Sequence, residues 1–164
     1  MRTQPSWGPT ELRTFLDAIS DDRLHALYLV ISLAGVRPSE ALGLKWSDVD
    51  LDTGTVHIPQ LPGHVDRYLV GKPDAATRRR RIDLYPGVPD LLRWHGCRQR
   101  LQKLSATSWN DTDLVFTETD GSALSPPSVA RHFDYLVAGV DLPHLRLDDL
   151  HRSWGRGSEA DIVD

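Results

Sequence analysis

Two groups of residues have the types and spacing to hold a phosphate. The first is Arg37 and Glu40. Arg37 follows Gly35 and directly precedes Pro38, so it stands where one helix ends and the next begins, ahead of amides that point toward it. Glu40, three residues on, is within reach to orient the guanidinium if a helical turn lies between them. A guanidinium held this way offers a planar fork of donors that matches phosphate oxygens. The same spacing also describes a structural Arg37–Glu40 ion pair at a loop, and both readings stand. The second group is the run Arg78, Arg79, Arg80 and Arg81. In a strand these side chains alternate between faces. Half of them would lie on one side, where contacts to a nucleic-acid backbone add salt-sensitive affinity without sequence preference.

The charge distribution favours the same segment. The net charge is −4, yet residues 67–103 hold ten Lys and Arg against Asp74, Asp83 and Asp90, a local balance of +7. The flanks compensate, with −4 over residues 1–66 and −7 over residues 104–164. A solvated charged surface is the alternative reading of this pattern. Other chemistries lack their residues. The seven histidines show no spacing that suits zinc, Cys97 is the single cysteine, and no phosphate-cradling glycine loop occurs. No metal and no cofactor is expected. The acidic pairs Asp21-Asp22 and Asp148-Asp149 read as helix-start charges.

Helices and a small sheet must position these groups. Thr10 is placed to cap a first helix carrying Leu12, Phe15, Leu16 and Ile19. A second helix is predicted over residues 22–34, with Leu24, Leu27, Tyr28, Ile31 and Ala34 on one stripe and Gly35 as its stop. A short helix should run from Pro38 to Leu44. The period then shifts to strands at residues 55–58, 68–70 and 80–84, a three-stranded antiparallel meander with an irregular connection at residues 71–77. A longer helix over residues 89–104 is expected to bury Leu91, Leu92, Trp94, Leu101 and Leu104. Residues 113–116 read as extended, Ser125 as the cap of a helix over residues 126–138, and residues 145–153 as a last helix. The fold class is α+β, mostly helical with a small three-stranded antiparallel sheet. The organisation is one domain over residues 1–153 and a frayed tail over residues 154–164.

The stretch from Leu33 to Asp50 resembles the first arginine box of the tyrosine recombinases, the phage-integrase family. Gly35, Arg37, Glu40, Leu44, Trp46, Asp48 and Asp50 all fall in its register. By that resemblance Arg37 is the first of two arginines that clamp the scissile phosphate, and Glu40 supports it. The family's reaction is attack of a tyrosine on a DNA phosphodiester without a metal, the charge on the non-bridging oxygens being stabilised by preorganised cations. A hairpin lysine that protonates the leaving oxygen resembles Lys72, in the segment from Gly71 to Leu84, although that segment is about two residues longer than the family pattern. The second box, L-x-x-H-D-L-R-H followed by Ser or Thr, is similar to the segment from Leu145 to Ser153. Aligned on Asp149-Leu150, Asp148 replaces the box histidine, His151 takes the arginine position, and Arg152 the next. An arginine moved by one place on a helix turns about 100° off its face.

No tyrosine lies beyond Tyr135, and no Gly-His pair follows Ser153. The resemblance therefore implies a catalytic domain cut short on its C-terminal side, without the family's last helices and without its nucleophile. The expected function is that of a partial site-specific recombinase domain, associated with DNA integration and inactive alone. Its expected partner is double-stranded DNA, bound weakly, with association to a full-length recombinase or to itself as further expectations. A non-catalytic DNA-binding or regulatory module, or an inert relic of a mobile element, are the alternatives. No apolar run suits a membrane and no signal-type segment opens the chain, so a cytoplasmic location is expected.

Overall fold

Hydrophobic residues at helical spacing form most of the secondary structure in the computed structural model, which describes residues 5–60 and 78–153. The chain divides into two compact units, Met1–Pro38 with Ser125–Asp164, and Ser39–Leu124. No helix among the described residues is long and apolar enough to cross a membrane.

The first unit is helical. Helix α1 (Pro9–Ala18) starts two residues earlier than Thr10 as cap would set it: Gly8 is the N-cap and Pro9 the first helical residue. Proline costs no hydrogen bond there, and the Glu11 carboxylate accepts the Gly8 N–H at 2.8 Å, a role Thr10 does not play. Helix α2 (His25–Ala34) begins three residues after the expected Asp22. Asp22 caps from outside instead, its carboxylate accepting the Leu24 N–H at 2.9 Å. Gly35 ends the helix at φ 64°, a left-handed position that glycine adopts without strain. Helix α3 (Pro38–Leu42) follows at the division between the units and stops two residues short of Leu44.

Helix α5 (Pro126–Ala138) and the short helix α6 (Leu147–Leu150) complete the first unit, α6 running into a 3-10 turn at His151–Ser153. The core is aromatic. Trp7 and Phe15 have ring centres 5.0 Å apart, Phe15 and Phe133 5.3 Å, and Tyr28 and Phe133 5.4 Å. The polar atoms of two core aromatics find partners, as burial demands. The Tyr28 hydroxyl donates to the Val129 carbonyl at 3.1 Å and the Trp7 indole N–H to the Pro143 carbonyl at 2.9 Å. The Trp7 amide donates to Ser153 Oγ at 3.1 Å, which ties the start of this unit to its end.

The second unit holds the sheet: β1 (Val49–Asp50), β2 (Thr55–Gln60) and β3 (Arg78–Asp83), antiparallel in the order β1-β2-β3. Three antiparallel strands are present, as the pattern predicts, but the membership differs. The first strand is the two-residue β1, too short to show a period, and β2 pairs directly with β3. The expected strand at residues 68–70 lies outside the described residues. Helix α4 (Val88–Ser105) follows, and residues 114–115 add bridging contacts to the segment around Leu44 and Lys45.

Helix α4 also corrects the sequence reading. Its buried residues are Val88, Leu92 and Gly96, while Leu91, Trp94, Leu101 and Leu104 are exposed. The physical reason is the face that the rest of the unit requires. The Gln99 amide donates to the Leu114 and Val115 carbonyls at 3.1 and 3.2 Å, and His95 Nε2 donates to the Val115 carbonyl at 2.6 Å. The Trp46 indole N–H donates to Gln99 Oε1 at 2.8 Å and its ring lies over Gly96, where a Cβ would come within 3.2 Å of the indole. Satisfying these polar groups turns the helix so that its apolar side chains look outward.

Candidate functional site

The box around Arg37 separates into an exposed cation and a packed scaffold. Val36 is buried and Arg37 is exposed, immediately after the left-handed Gly35 and before Pro38 opens α3. Downstream, Leu44 is 1% exposed and its carbonyl accepts the Val115 N–H at 2.9 Å. Trp46 is pinned through Gln99, and buried Asp48 accepts the Lys45 amide at 3.3 Å. Asp50 Oδ1 accepts the amides of Asp52 and Thr53 at 3.0 and 3.1 Å, and these hydrogen bonds hold its carboxyl below the usual carboxylate range. Leu44, Trp46, Asp48 and Asp50 thus build the turn and strand after α3.

Glu40 has a partner that the sequence does not reveal. Within the second unit Arg80 donates to Glu40 Oε2 at 3.0 Å, both side chains half-buried. The strand register explains the placement: Arg80 lies opposite Ile58, and Arg81 opposite His57. Ile58 is buried, so Arg80 shares the inward face and meets Glu40, while Arg81 is exposed and pairs with Asp83 at 3.3 Å. The expected alternation of the basic run is therefore visible at these two positions. Arg78 and Arg79 belong to β3 and pair in register with Gln60 and Pro59. Lys72 lies outside the described residues, as does the tail over residues 154–164.

The segment from Leu145 to Ser153 keeps its apolar positions inside. Leu145, Leu147, Leu150 and Ser153 are all buried. Of its charged side chains Asp148 and Arg152 are exposed, while Asp149 is half-buried. Arg152 is exposed and donates to Asp149 Oδ1 at 2.7 Å, and Asp148 is exposed on the first turn of α6. An ion pair three residues apart on one short helix is the simplest use of these charges.

This arrangement has known counterparts. No protein-family model matches the chain. A tyrosine recombinase XerC-like protein from Caldanaerobacter subterraneus subsp. tengcongensis is 24% identical over 163 residues, spanning 91% of this chain and 42% of that protein. The ICEBs1 integrase of Bacillus subtilis is 27% identical over 152 residues, spanning 90% of this chain and 41% of its own length. Among solved structures, the Tn1549 transposon integrase in complex with transposon right-end DNA superposes with a TM-score of 0.71. That match has 17% identity and covers 94% of this chain and 53% of the integrase. The chain is similar to the tyrosine recombinases. Its fold is that of part of a tyrosine-recombinase catalytic domain, and the chain spans less than half the length of these two curated relatives.

Two further pairings escaped sequence reasoning. Arg80 and Glu40 are forty positions apart, and only the strand register brings them together. His132 and Asp22 are joined in the first unit, His132 Nε2 lying 3.0 and 2.9 Å from the two Asp22 oxygens, with Tyr135 stacked beside the imidazole at 6.2 Å. Asp22 was expected as a helix-start charge. It does cap the start of α2 through the Leu24 amide, and its bond to His132 of α5 makes it a brace between helices as well.

Proposed function

We propose that this recombinase-related domain binds duplex DNA through the phosphate backbone, with Arg37 as its principal phosphate contact and the basic strand β3 as a second. On the same reading Glu40 and Arg80 are positioning residues: their 3.0 Å pair holds the middle of β3 to Glu40 within one unit. The observation that carries the reading is an exposed arginine just after a left-handed turn, inside a box whose Leu44 and Asp48 are buried and whose Trp46 is pinned to Gln99. The resemblance in fold to an integrase solved with DNA supports it.

Strand cleavage by these 164 residues alone is not part of the proposal. Two features of the second box weigh against it. Arg152 is already engaged by Asp149, and Asp148 presents a carboxylate where the family pattern has a histidine. A phosphate approaching there meets negative charge before it meets a free donor.

Fluorescence anisotropy with a short labelled duplex tests the binding. With three or four phosphate contacts, affinity should fall on the order of 10²-fold between about 50 and about 200 mM salt. Arg37→Ala should weaken binding uniformly across sequences and lower the salt slope by about 1. Affinity that is absent at low salt, or insensitive to salt, would sink the proposal. A covalent DNA adduct trapped with a nicked suicide substrate would overturn the statement on cleavage.

A further inference from the structure

A pocket of about 420 Å³ lies wholly within the second unit, between α4 and the segment over residues 109–117. That is the size of a small-molecule site. Its apolar lining comes from Trp46, Leu51, Leu92 and Leu114, with Trp109 on the facing segment. At 100° per residue Arg93, Gly96, Arg100 and Lys103 of α4 fall within an arc of about 80°, and all four line the same pocket. Gly96 leaves the gap in this stripe that the Trp46 ring occupies, the nearest ring carbon lying 3.2 Å from where a Cβ would stand. An aromatic ring thus lies among cationic side chains, one helical turn from Arg100.

Most polar groups in the lining are already committed. Trp46 and Gln99 are joined to each other, and Gln99 also to the Leu114 and Val115 carbonyls. Arg93 is held by Asp90, Asp52 and the Leu51 carbonyl. Of the two acids, Asp113 accepts the Ser47 amide at 3.3 Å, and Asp111 stands 3.8 Å from Lys103. The Lys103–Asp111 pair is long and more than half exposed on both sides, so opening it costs little. Arg100 is different. Its one side-chain partner among the described residues is the Cys97 sulfur at 3.2 Å, a weak acceptor, so its fork of donors remains available to a carboxylate. We propose that this pocket binds a small planar aromatic anion, its ring against the Trp46 indole and its anionic group on Arg100.

Titration of the 164-residue chain with cinnamate, followed by NMR of the tryptophan indole N–H groups, tests this. The signals of Trp46 and Trp109 should move together and saturate with a dissociation constant on the order of 1 mM, as suits a ligand of this size in an open pocket. Those of Trp7, in the core of the first unit, and of Trp94, exposed on α4 outside the pocket, should stay in place. Cinnamylamine, the same ring with a cation in place of the carboxylate, should bind at least about 5-fold more weakly. Arg100→Gln should weaken cinnamate by about 5-fold with the far-ultraviolet circular dichroism unchanged. Arg98→Gln, on the same helix but outside the lining, should leave it unaltered. No movement at Trp46 or Trp109 by about 10 mM cinnamate overturns the inference. So does cinnamylamine binding as tightly as cinnamate, or Arg98→Gln costing as much as Arg100→Gln.

Discussion

Between Val36 and Asp50 the side chains of Val36, Ala41, Leu42 and Leu44 are buried and Arg37 is exposed, and between Leu145 and Ser153 the side chains of Leu145, Leu147 and Leu150 are equally buried, while Arg152 is exposed and pairs with Asp149 across three residues. Both segments resemble boxes of one family. What differs is the order of the charged residues along the chain, not the packing beneath them. Scaffold positions are constrained by the core, where a lost methylene or a void is costly. Surface charges carry no such constraint, and a cation shifted by one place on a helix settles for the nearest acid. A box can thus keep its structural half when its chemical half has changed.

The largest effects should come from the shared half. Leu44→Ala and Leu150→Ala each remove a buried side chain and should lower stability by about 3 kcal/mol in denaturant titrations. A negligible loss at either site would break the claim that both boxes are scaffold. Next, Gly96→Val drives a branched side chain into the Trp46 ring. Because the indole is pinned to Gln99 and cannot yield freely, the cost should be about 2 kcal/mol, seen together with a change in tryptophan fluorescence.

The charged half predicts smaller changes of a different kind. Asp148→Asn with Asp149→Asn should tighten duplex binding by roughly 5-fold, since a repelling carboxylate is removed and Arg152 is released. Stability should move by less than about 1 kcal/mol, as expected for a partly exposed pair. Unchanged affinity would mean that this segment does not face the nucleic acid. The smallest effect concerns His25, at the start of α2. Burial holds its imidazole below the ordinary histidine value, while Asp22 acts in the opposite sense. As pH falls the unfolded chain takes up this proton first, so the contribution to stability is present at neutral pH and is lost through the ordinary histidine range. Thermal midpoints should decline from pH 7 to pH 5, and His25→Gln should flatten that decline.

Legibility followed the period of the hydrophobic residues. Helices α1, α2 and α5 bury the residues their stripes indicated, among them Leu12, Phe15, Leu27, Tyr28, Val129 and Phe133. Helix α4 was found, but of the five residues expected to be buried only Leu92 is. A count of apolar residues picks Leu91, Trp94, Leu101 and Leu104 along with Leu92, while the inward face joins Val88 and Leu92 to a glycine and two polar side chains whose partners lie elsewhere in the chain. Strand β1 has two residues and no period to read. The cap of α1 moved from Thr10 to Gly8 because a proline at the first helical position outweighs a hydroxyl one residue later.

At the candidate site, residue types and local spacing were enough to single out Arg37 and the basic run, since a glycine-terminated helix, a proline start and a dense box are all local features. The partners were not local. Glu40 meets Arg80 only because β2 and β3 pair in one register, and a shift by one residue would have sent Arg80 to the other face and Arg81 inward. The sequence by itself determined which elements form and which cation follows Gly35, because backbone preference and hydrophobic period act over a few residues. Only the tertiary structure decided which acid each arginine meets and which face of α4 remains bare, because those outcomes depend on strand register and on satisfying buried polar groups across the chain.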